Sequence, residues 1–110
     1  MIYTSNYFNI KNFKGTKIQI SNSKPKGHRV DFKYDILVPD WYLVNNFKKG
    51  IITYDTFKET YLKQLDKLDK KDILQWLNSV DKDIVLLCWC KNKQCHRYVL
   101  AEWLGTISEL

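Results

Sequence analysis

The chain has 110 residues, a length that supports one domain and falls short of two. Hydrophobic residues make up 45% and aromatic residues 15% of it, which is typical of a folded globular protein. The formal net charge is +6, but only two of the eighteen Lys and Arg residues are Arg. Scattered Lys charges indicate a basic surface and do not favour specific phosphate recognition, so nucleic-acid binding stays open without being favoured.

The sequence gives no sign of membrane insertion or secretion. No segment approaches the ~20 apolar residues of a membrane span, and the N-terminus lacks the basic-then-apolar pattern of a signal peptide. The three Cys residues fall in the last quarter of the chain and do not form a disulfide framework. We therefore expect a cytoplasmic protein with no membrane partner; the pattern does not indicate its oligomeric state.

The predicted elements begin with two short strands. Ile2-Tyr3 is extended and apolar, and residues 17–20 (Lys-Ile-Gln-Ile) alternate with the period of a strand. A basic loop from Ser21 to Arg29 follows, with Pro25 and Gly27 as breakers.

Three helices are predicted next. The first begins at Pro39, whose missing N–H suits a first turn, and runs to Lys49 before Gly50. Thr53 caps the second helix and Asp69 caps a short third one. Both carry apolar residues three or four apart, which indicates faces packed on the core and not a cofactor site.

The last part of the chain changes character. Residues 84–89 are apolar on both faces, as expected of a central strand covered by helices on both sides. After a short loop, a final amphipathic helix is predicted from the spacing of Val99, Leu100, Trp103, Leu104 and Ile107. The order strand, strand, helices, strand, helix predicts a single α/β domain over residues 1–110, with a small, mostly parallel sheet flanked by helices.

Polar and reactive residues follow all three predicted strands. Thr4 and Ser5 follow the first strand, Ser21 the second, and residues 88–97 the third. In such sheets ligands bind beyond the carboxyl ends of the strands. These groups therefore meet at one edge if the second strand is parallel, a direction that the sequence leaves open. Ser5 and Ser21 are also explained as ordinary turn and capping residues.

The first turn of the last helix is predicted to hold Cys95, His96 and Arg97. Its unpaired N–H groups and positive dipole end favour an anion and a Cys95 thiolate. The same terminus favours a neutral His96 imidazole, which can act as a general base, although a packing histidine stays an alternative. Arg97 offers a bidentate clamp for phosphate or carboxylate. We predict Cys95 and His96 as catalytic residues, and a ligand site formed by Arg97, Ser5, Ser21, Thr4 and Cys88.

The cysteines allow further interpretations. A zinc site would use Cys88, Cys90, Cys95 and His96, but the spacing is unusual for zinc. Adjacent helical residues also diverge by about 100°, which makes it awkward for Cys95 and His96 to reach one ion. We therefore predict no metal and no cofactor. Cys88 and Cys95 form a redox pair if the loop folds back, and Cys88 is also explained as core filling.

Taken in order, several short motifs resemble the family called domain of unknown function 488, in the compact form found in bacteria and their phages. The resembling pieces are residues 2–8, 20–25, 37–39 and 53–65 and, most closely, Leu86-Leu87-Cys88, Cys95-His96-Arg97 and Ala101-Glu102-Trp103-Leu104. In that family the position of Cys90 is usually acidic, which argues against a shared role for Cys90 and further weakens the zinc interpretation. The resemblance implies an α/β fold and a Cys-His-Arg site, without an established reaction.

Three function hypotheses follow. The leading one is a pocket for a small anionic ligand, a nucleotide or sugar phosphate, held at the start of the last helix; whether the ligand is turned over stays open. The second is a non-catalytic binding module of phage or bacterial origin that engages a host protein or nucleic acid through the basic loop Lys24 to Arg29, Trp41 and Tyr42. The third is a zinc-binding protein.

Overall fold

The fold is built on a parallel sheet, in a computed structural model that describes residues 1–89, 94–105 and 107–109. The described residues contain five strands: β1 (Ile2–Asn6), β2 (Thr16–Gln19), β3 (Phe32–Lys33), β4 (Ile84–Cys88) and β5 (Ile107–Glu109). They form one sheet in the order β3-β2-β4-β1-β5, and every pair of neighbours is parallel. The predicted α/β class with a parallel sheet is therefore confirmed, and the open direction of the second strand is parallel.

Four α-helices accompany the sheet in the described part of the chain: α1 (Trp41–Lys48), α2 (Tyr54–Asp66), α3 (Lys70–Val80) and α4 (His96–Leu104). A 3-10 turn at Asp35–Leu37 precedes α1. The Thr53 and Asp69 side chains accept hydrogen bonds from the first turns of α2 and α3, as predicted. None of these helices has both the length and the apolar character that crossing a membrane requires.

The start of α1 lies slightly later than predicted. The helix was expected from Pro39 to Lys49, but Asp40 is its N-cap and accepts a hydrogen bond from the Tyr42 N–H at 2.9 Å. An aspartate in this position satisfies an amide that a helix would otherwise leave without a partner. Pro39 therefore precedes the helix.

The central strand β4 divides the core into two parts. Ile84 and Leu86 face a large cluster to which α2, α3 and α4 contribute. Val85 and Leu87 face a smaller cluster formed with Tyr7, Ile10, Tyr3, Phe13 and Val30. The residues of this second cluster lie in strands and in non-helical segments, mainly the β1–β2 connection. The expectation of helices on both sides is therefore wrong: the helical cluster covers one face and the β1–β2 connection covers the other.

The end of the chain also differs from the prediction. Ile107 was assigned to the inner stripe of the last helix, but α4 ends at Leu104 and Ile107 begins β5, which pairs with β1. Gly105 causes the change, because its φ of 79° is a left-handed conformation that ends a helix. The two-residue strand β3 was not predicted either.

Candidate functional site

The parallel register brings the ends of three strands to one edge of the sheet. Asn6, the last residue of β1, pairs with Cys88, the last residue of β4, while Gln19 of β2 pairs with Leu87. Ser21 lies two residues beyond the end of β2. The predicted carboxyl edge thus exists, and α4 begins there.

Two cysteines and a histidine meet at this edge, and we call them the Cys–Cys–His cluster: Cys88, Cys95 and His96. The two sulfur atoms are 2.7 Å apart, and the Cys95 Sγ lies 3.8 Å from the His96 Nδ1. One ligand-forming atom from each residue lies within 4.8 Å of the other two, and all three side chains are buried. Two sulfurs and an imidazole nitrogen are nucleophiles and soft metal ligands, so this cluster carries the reactive groups of the edge.

The backbone explains how consecutive residues reach the same point. Cys95 is the N-cap of α4 and is extended, with φ −139° and ψ 147°, while His96 is the first helical residue. The 100° divergence expected for two helical neighbours therefore does not apply to this pair.

The orientation of the His96 ring is fixed by a backbone partner. Its Nε2 donates to the Ile20 carbonyl oxygen at 2.6 Å, since a carbonyl only accepts. In the neutral imidazole the acceptor nitrogen is then Nδ1, which faces Cys95. The Tyr61 ring meets the imidazole edge-on, at 5.7 Å between centroids. The His96 ring is therefore packed against its neighbours, and its Nδ1 is still able to accept a proton.

Tyr61 forms a neutral wall beside the cluster. Burial is the main cause that raises its pKa above the ordinary tyrosine value, and nearby Cys95 and Cys88 raise it further. Its hydroxyl donates to the Leu37 carbonyl oxygen at 2.5 Å. Because the phenol stays protonated, it adds no negative charge that would oppose a thiolate next to it.

A cleft of about 150 Å³ opens beside His96. We call it the edge cleft. Its lining combines a buried polar part with exposed indole rings and a lysine, and consists of Ser21, Asn22, Ser23, Pro39, Trp41, Val44, Asn45, Lys48, Trp89 and His96. Trp41 is 55% and Trp89 39% exposed. The cleft thus joins one member of the Cys–Cys–His cluster to solvent.

Ser21 lies in the cleft but is already engaged in hydrogen bonds. Its Oγ donates to the Ser23 carbonyl oxygen at 2.6 Å, so the Tyr7 hydroxyl at 2.6 Å is the donor in their bond. Burial raises the pKa of Tyr7 to about 12, and the bond to Ser21 partly opposes this effect. Ser21 therefore helps to fix the cleft wall, and its role in orienting a ligand stays a prediction.

Arg97 faces a different part of the molecule. The side chain is only 2% exposed, and its guanidinium lies over the Tyr98 ring, 4.4 Å from its centre. Nη2 donates to the Tyr98 hydroxyl at 2.9 Å, and Nη1 lies 3.8 Å from Glu109 on β5. Nε and Nη1 have no hydrogen-bond partner among the described residues. Arg97 is not part of the edge-cleft lining, so the predicted clamp is not brought to the cleft.

Thr4 and Ser5 are also kept away from the cleft. They are consecutive in β1 and pair with Leu86 and Leu87, so their side chains point to opposite faces of the sheet. Both are buried, and Ser5 Oγ has no hydrogen-bond partner within the described ranges. Neither residue lines the edge cleft, so their predicted ligand contacts have no counterpart there.

Sequence reasoning did not predict several groups that line the edge cleft or orient His96. Lys48 and Trp89 line the cleft, but a lysine at the end of a helix and an apolar residue at the end of a strand carry no distinctive signal. The Ile20 carbonyl that orients His96 is a backbone atom, for which no sequence signal exists. Cys90, part of the four-ligand zinc site, lies outside the described residues.

A comparison of the chain with models of known protein families gives a match. Over residues 2–108 the chain matches the model described as the active DUF488-N3 subclade. The protein belongs to the DUF488 family. No curated protein and no solved structure matches the chain. The match includes every residue of the Cys–Cys–His cluster and the edge cleft, and it confirms the family that the sequence motifs indicated.

Proposed function

We propose that this DUF488 protein binds a small anionic ligand, a nucleotide or sugar phosphate, in the edge cleft, and that Cys95 and His96 perform chemistry on it. One observation carries the proposal. His96 lines the cleft and turns its Nδ1 toward the Cys95 Sγ, so a histidine–cysteine pair adjoins an open cleft at the carboxyl edge of a parallel sheet.

The cleft offers recognition for both parts of such a ligand. Lys48 supplies a positive charge at its rim, and the N-terminus of α4 adds the positive end of a helix dipole. Trp41 and Trp89 offer indole faces on which a base or a sugar ring can stack, an interaction worth about 1–3 kcal/mol per base. The expected ligand therefore has a flat or ring-shaped part and one anionic group.

The chemistry follows from the orientation of His96. With Nε2 bonded to the Ile20 carbonyl, Nδ1 takes the proton of the Cys95 thiol, and the thiolate attacks an electrophilic carbon or phosphorus of the ligand. The bond from that atom to its leaving group breaks, and the leaving group takes the proton from Nδ1. The start of α4 favours that thiolate. The description of the matched subclade as active accords with a catalytic role.

Arg97, Thr4, Ser5 and Cys88 take supporting positions in this proposal. Arg97 is buried at the start of α4, near Glu109 of β5, and its buried volume holds the first turn of the helix in place. Thr4 and Ser5 lie buried in β1, behind the edge. Cys88 touches Cys95 from the end of β4.

A ligand-binding experiment with a matched pair of lysines tests the proposal. Thermal unfolding is measured with a panel of nucleotides and sugar phosphates for the wild type, Lys48→Gln and Lys49→Gln. A ligand at a hundred times its Kd should stabilise the wild type by about 2.7 kcal/mol. We expect binding about tenfold weaker in Lys48→Gln and unchanged in Lys49→Gln, because Lys49 does not line the cleft. Absence of any shift in the wild type would refute the proposal.

A second candidate is a non-catalytic module that binds single-stranded nucleic acid. It is favoured by the exposed ring of Phe8, which packs on both Trp89 and His28, and by the exposed basic residues Lys26 and Arg29 in the same loop as His28. Such a surface combines stacking with backbone neutralisation. Oligonucleotide binding that weakens with salt and is unchanged by Cys95→Ser would support this candidate over the first.

A further inference from the structure

The Cys–Cys–His cluster has the composition of a metal site. We propose that Cys88, Cys95 and His96 bind a zinc ion through two thiolates and the imidazole Nδ1, and that the fourth position of the ion opens toward the edge cleft. The metal site does not depend on the anionic ligand. The use of the open position rests only on the ligand-binding part of the proposed function, because the zinc-bound form has no free Cys95 thiolate or His96 Nδ1 and the proposed cysteine chemistry belongs to the metal-free form.

The distances in the cluster are close to those that zinc requires. Zinc lies about 2.3 Å from sulfur and about 2.0–2.1 Å from nitrogen in a tetrahedral site, so its donor atoms are roughly 3.5–3.8 Å apart. The 3.8 Å between Cys95 Sγ and His96 Nδ1 already fits. The two sulfurs, 2.7 Å apart, must separate by about 1 Å, which a small rotation of the side chains provides.

The main objection from the sequence does not hold in the structure. Two adjacent helical residues would diverge, but Cys95 is the extended N-cap of α4 and stands outside the helix. The chain therefore turns between Cys95 and His96, and their donor atoms converge on the sulfur of Cys88 at the end of β4.

A second feature of the site is the hydrogen bond behind His96. Metal-bound histidines almost always donate their other ring N–H to a carboxylate, a carbonyl or water, which fixes the tautomer and the ring orientation. Here Nε2 donates to the Ile20 carbonyl at 2.6 Å and leaves Nδ1 as the ligand atom. The donor set of two sulfurs and one nitrogen suits zinc and disfavours magnesium or calcium, which take oxygen ligands.

The open fourth position links the metal to the cleft. Catalytic zinc sites keep three protein ligands and one position for water or substrate, whereas structural sites fill all four. His96 both lines the cleft and supplies a ligand, so the proposal puts the fourth position on the His96 side of the ion, toward the space where an anionic oxygen of the ligand would sit. Zinc would also convert Cys95 from a nucleophile into a ligand, so metal binding and alkylation of Cys95 must compete.

Metal titration with the two histidines as a matched pair tests the site. Reduced, chelator-treated protein is titrated with zinc, and with cobalt as a spectroscopic probe. We expect one equivalent to bind the wild type and a thiolate-to-cobalt charge-transfer band to appear. Affinity should fall at least tenfold in His96→Gln and stay unchanged in His28→Gln, whose ring packs on Tyr7 and Phe8 instead. Less than about a tenth of an equivalent bound to the wild type, or equal losses in both variants, would overturn the site.

A labelling experiment on the wild type avoids the risk that a cysteine variant fails to fold. Trypsin releases residues 94–97 with Cys95 as their single cysteine, so its alkylation by iodoacetamide is read separately from that of Cys88 and Cys90. Zinc should slow this alkylation more than tenfold, and a chelator should restore it. An unchanged rate with zinc present would overturn Cys95 as a ligand.

The remaining outcomes distinguish a failure of the metal site from a failure of the proposed anion pocket. The variant Cys90→Ser should retain zinc, and its loss would overturn the open fourth position. Zinc binding without any shift from the ligand panel would leave the metal site standing and refute the anion pocket. A ligand shift without zinc binding would retain the pocket with Cys95 as its nucleophile and overturn the metal site.

Discussion

His96 and Arg97 are consecutive residues at the start of α4, both buried and both polar, yet their surroundings differ. His96 is 7% exposed, lines the edge cleft, and has its Nε2 bonded to a backbone carbonyl. Arg97 is 2% exposed, faces β5, and keeps Nε and Nη1 without a hydrogen-bond partner among the described residues. His96 therefore opens onto the cleft, and Arg97 is enclosed.

The difference shows that residue type and position at a helix start do not decide function by themselves. Both side chains sit at the positive end of the same helix, where an anion is favoured. The two side chains point in different directions. His96 points toward the cleft, and Arg97 points toward the Tyr98 ring and Glu109. The proposed chemistry therefore uses the His96 side of α4, and the proposed role of Arg97 is to hold α4 against the sheet.

The largest expected effect comes from emptying the space that Arg97 fills. Arg97→Ala should lower the free energy of unfolding by about 2–4 kcal/mol, because it removes a large buried side chain. Arg97→Met keeps most of the volume and removes a buried charge, so its cost should stay below about 1.5 kcal/mol. Urea denaturation measures both. Weaker ligand binding in a stable Arg97→Met protein would show instead that Arg97 contacts the ligand.

Replacing the imidazole tests the other side of α4. His96→Phe keeps a ring of similar size but leaves the buried Ile20 carbonyl without its donor, at a cost of about 1–3 kcal/mol. In the metal-free protein, alkylation of Cys95 should also slow about tenfold because Nδ1 no longer accepts the thiol proton. The control is His28→Phe, which should change neither quantity. Unchanged Cys95 alkylation in His96→Phe would contradict the proposed role of His96 as a base.

The sequence predicts the parts of this fold that depend on local pattern. The caps at Thr53 and Asp69 and the buried strand β4 follow from residue type and spacing. The end of α4 does not, because Ile107 continues the helical spacing while Gly105 ends the helix. A two-residue strand such as β3 is too short to leave a pattern.

The candidate site also has features that the sequence predicts and features that it does not. His96 lies three, four and seven residues before Val99, Leu100 and Trp103, so helix phase predicts that it points inward, and the structure places it against Tyr61. The surroundings of Arg97 depend on Glu109, which belongs to a strand that the sequence pattern does not reveal. The orientation of the His96 ring depends on a carbonyl oxygen of the backbone. Every residue type has such an oxygen, so the sequence carries no signal for this partner. Long-range and backbone partners are therefore the information that a single sequence lacks.

Substitution of Tyr61, which packs against His96, should have a smaller effect on the free energy of unfolding. Tyr61→Phe removes the hydrogen bond to the Leu37 carbonyl and should cost about 1 kcal/mol at neutral pH. Burial, with a further contribution from Cys95, raises the pKa of Tyr61 above its unfolded value. Its contribution to stability is therefore complete below about pH 10 and decreases as the pH rises further.

The stability of Tyr61→Phe should consequently fall less steeply than that of the wild type above pH 10, measured by urea denaturation across the alkaline range. The exposed Tyr42 provides the control, and Tyr42→Phe should follow the wild type. Parallel curves for the wild type and Tyr61→Phe would show that Tyr61 ionises as readily in the folded protein as in the unfolded chain.

The smallest expected effect concerns the charge that faces Arg97. Glu109 is 51% exposed and its Oε1 lies 3.8 Å from Nη1, so the pair is partly in water and its strength is reduced by solvent and salt. Glu109→Gln should lower the free energy of unfolding by less than about 1 kcal/mol, and the difference should shrink in high salt. Because Gln also accepts the Tyr98 hydroxyl bond, the variant isolates the charge. A loss as large as that of Arg97→Ala would mean that the ion pair, and not the volume of the arginine, holds α4 to β5.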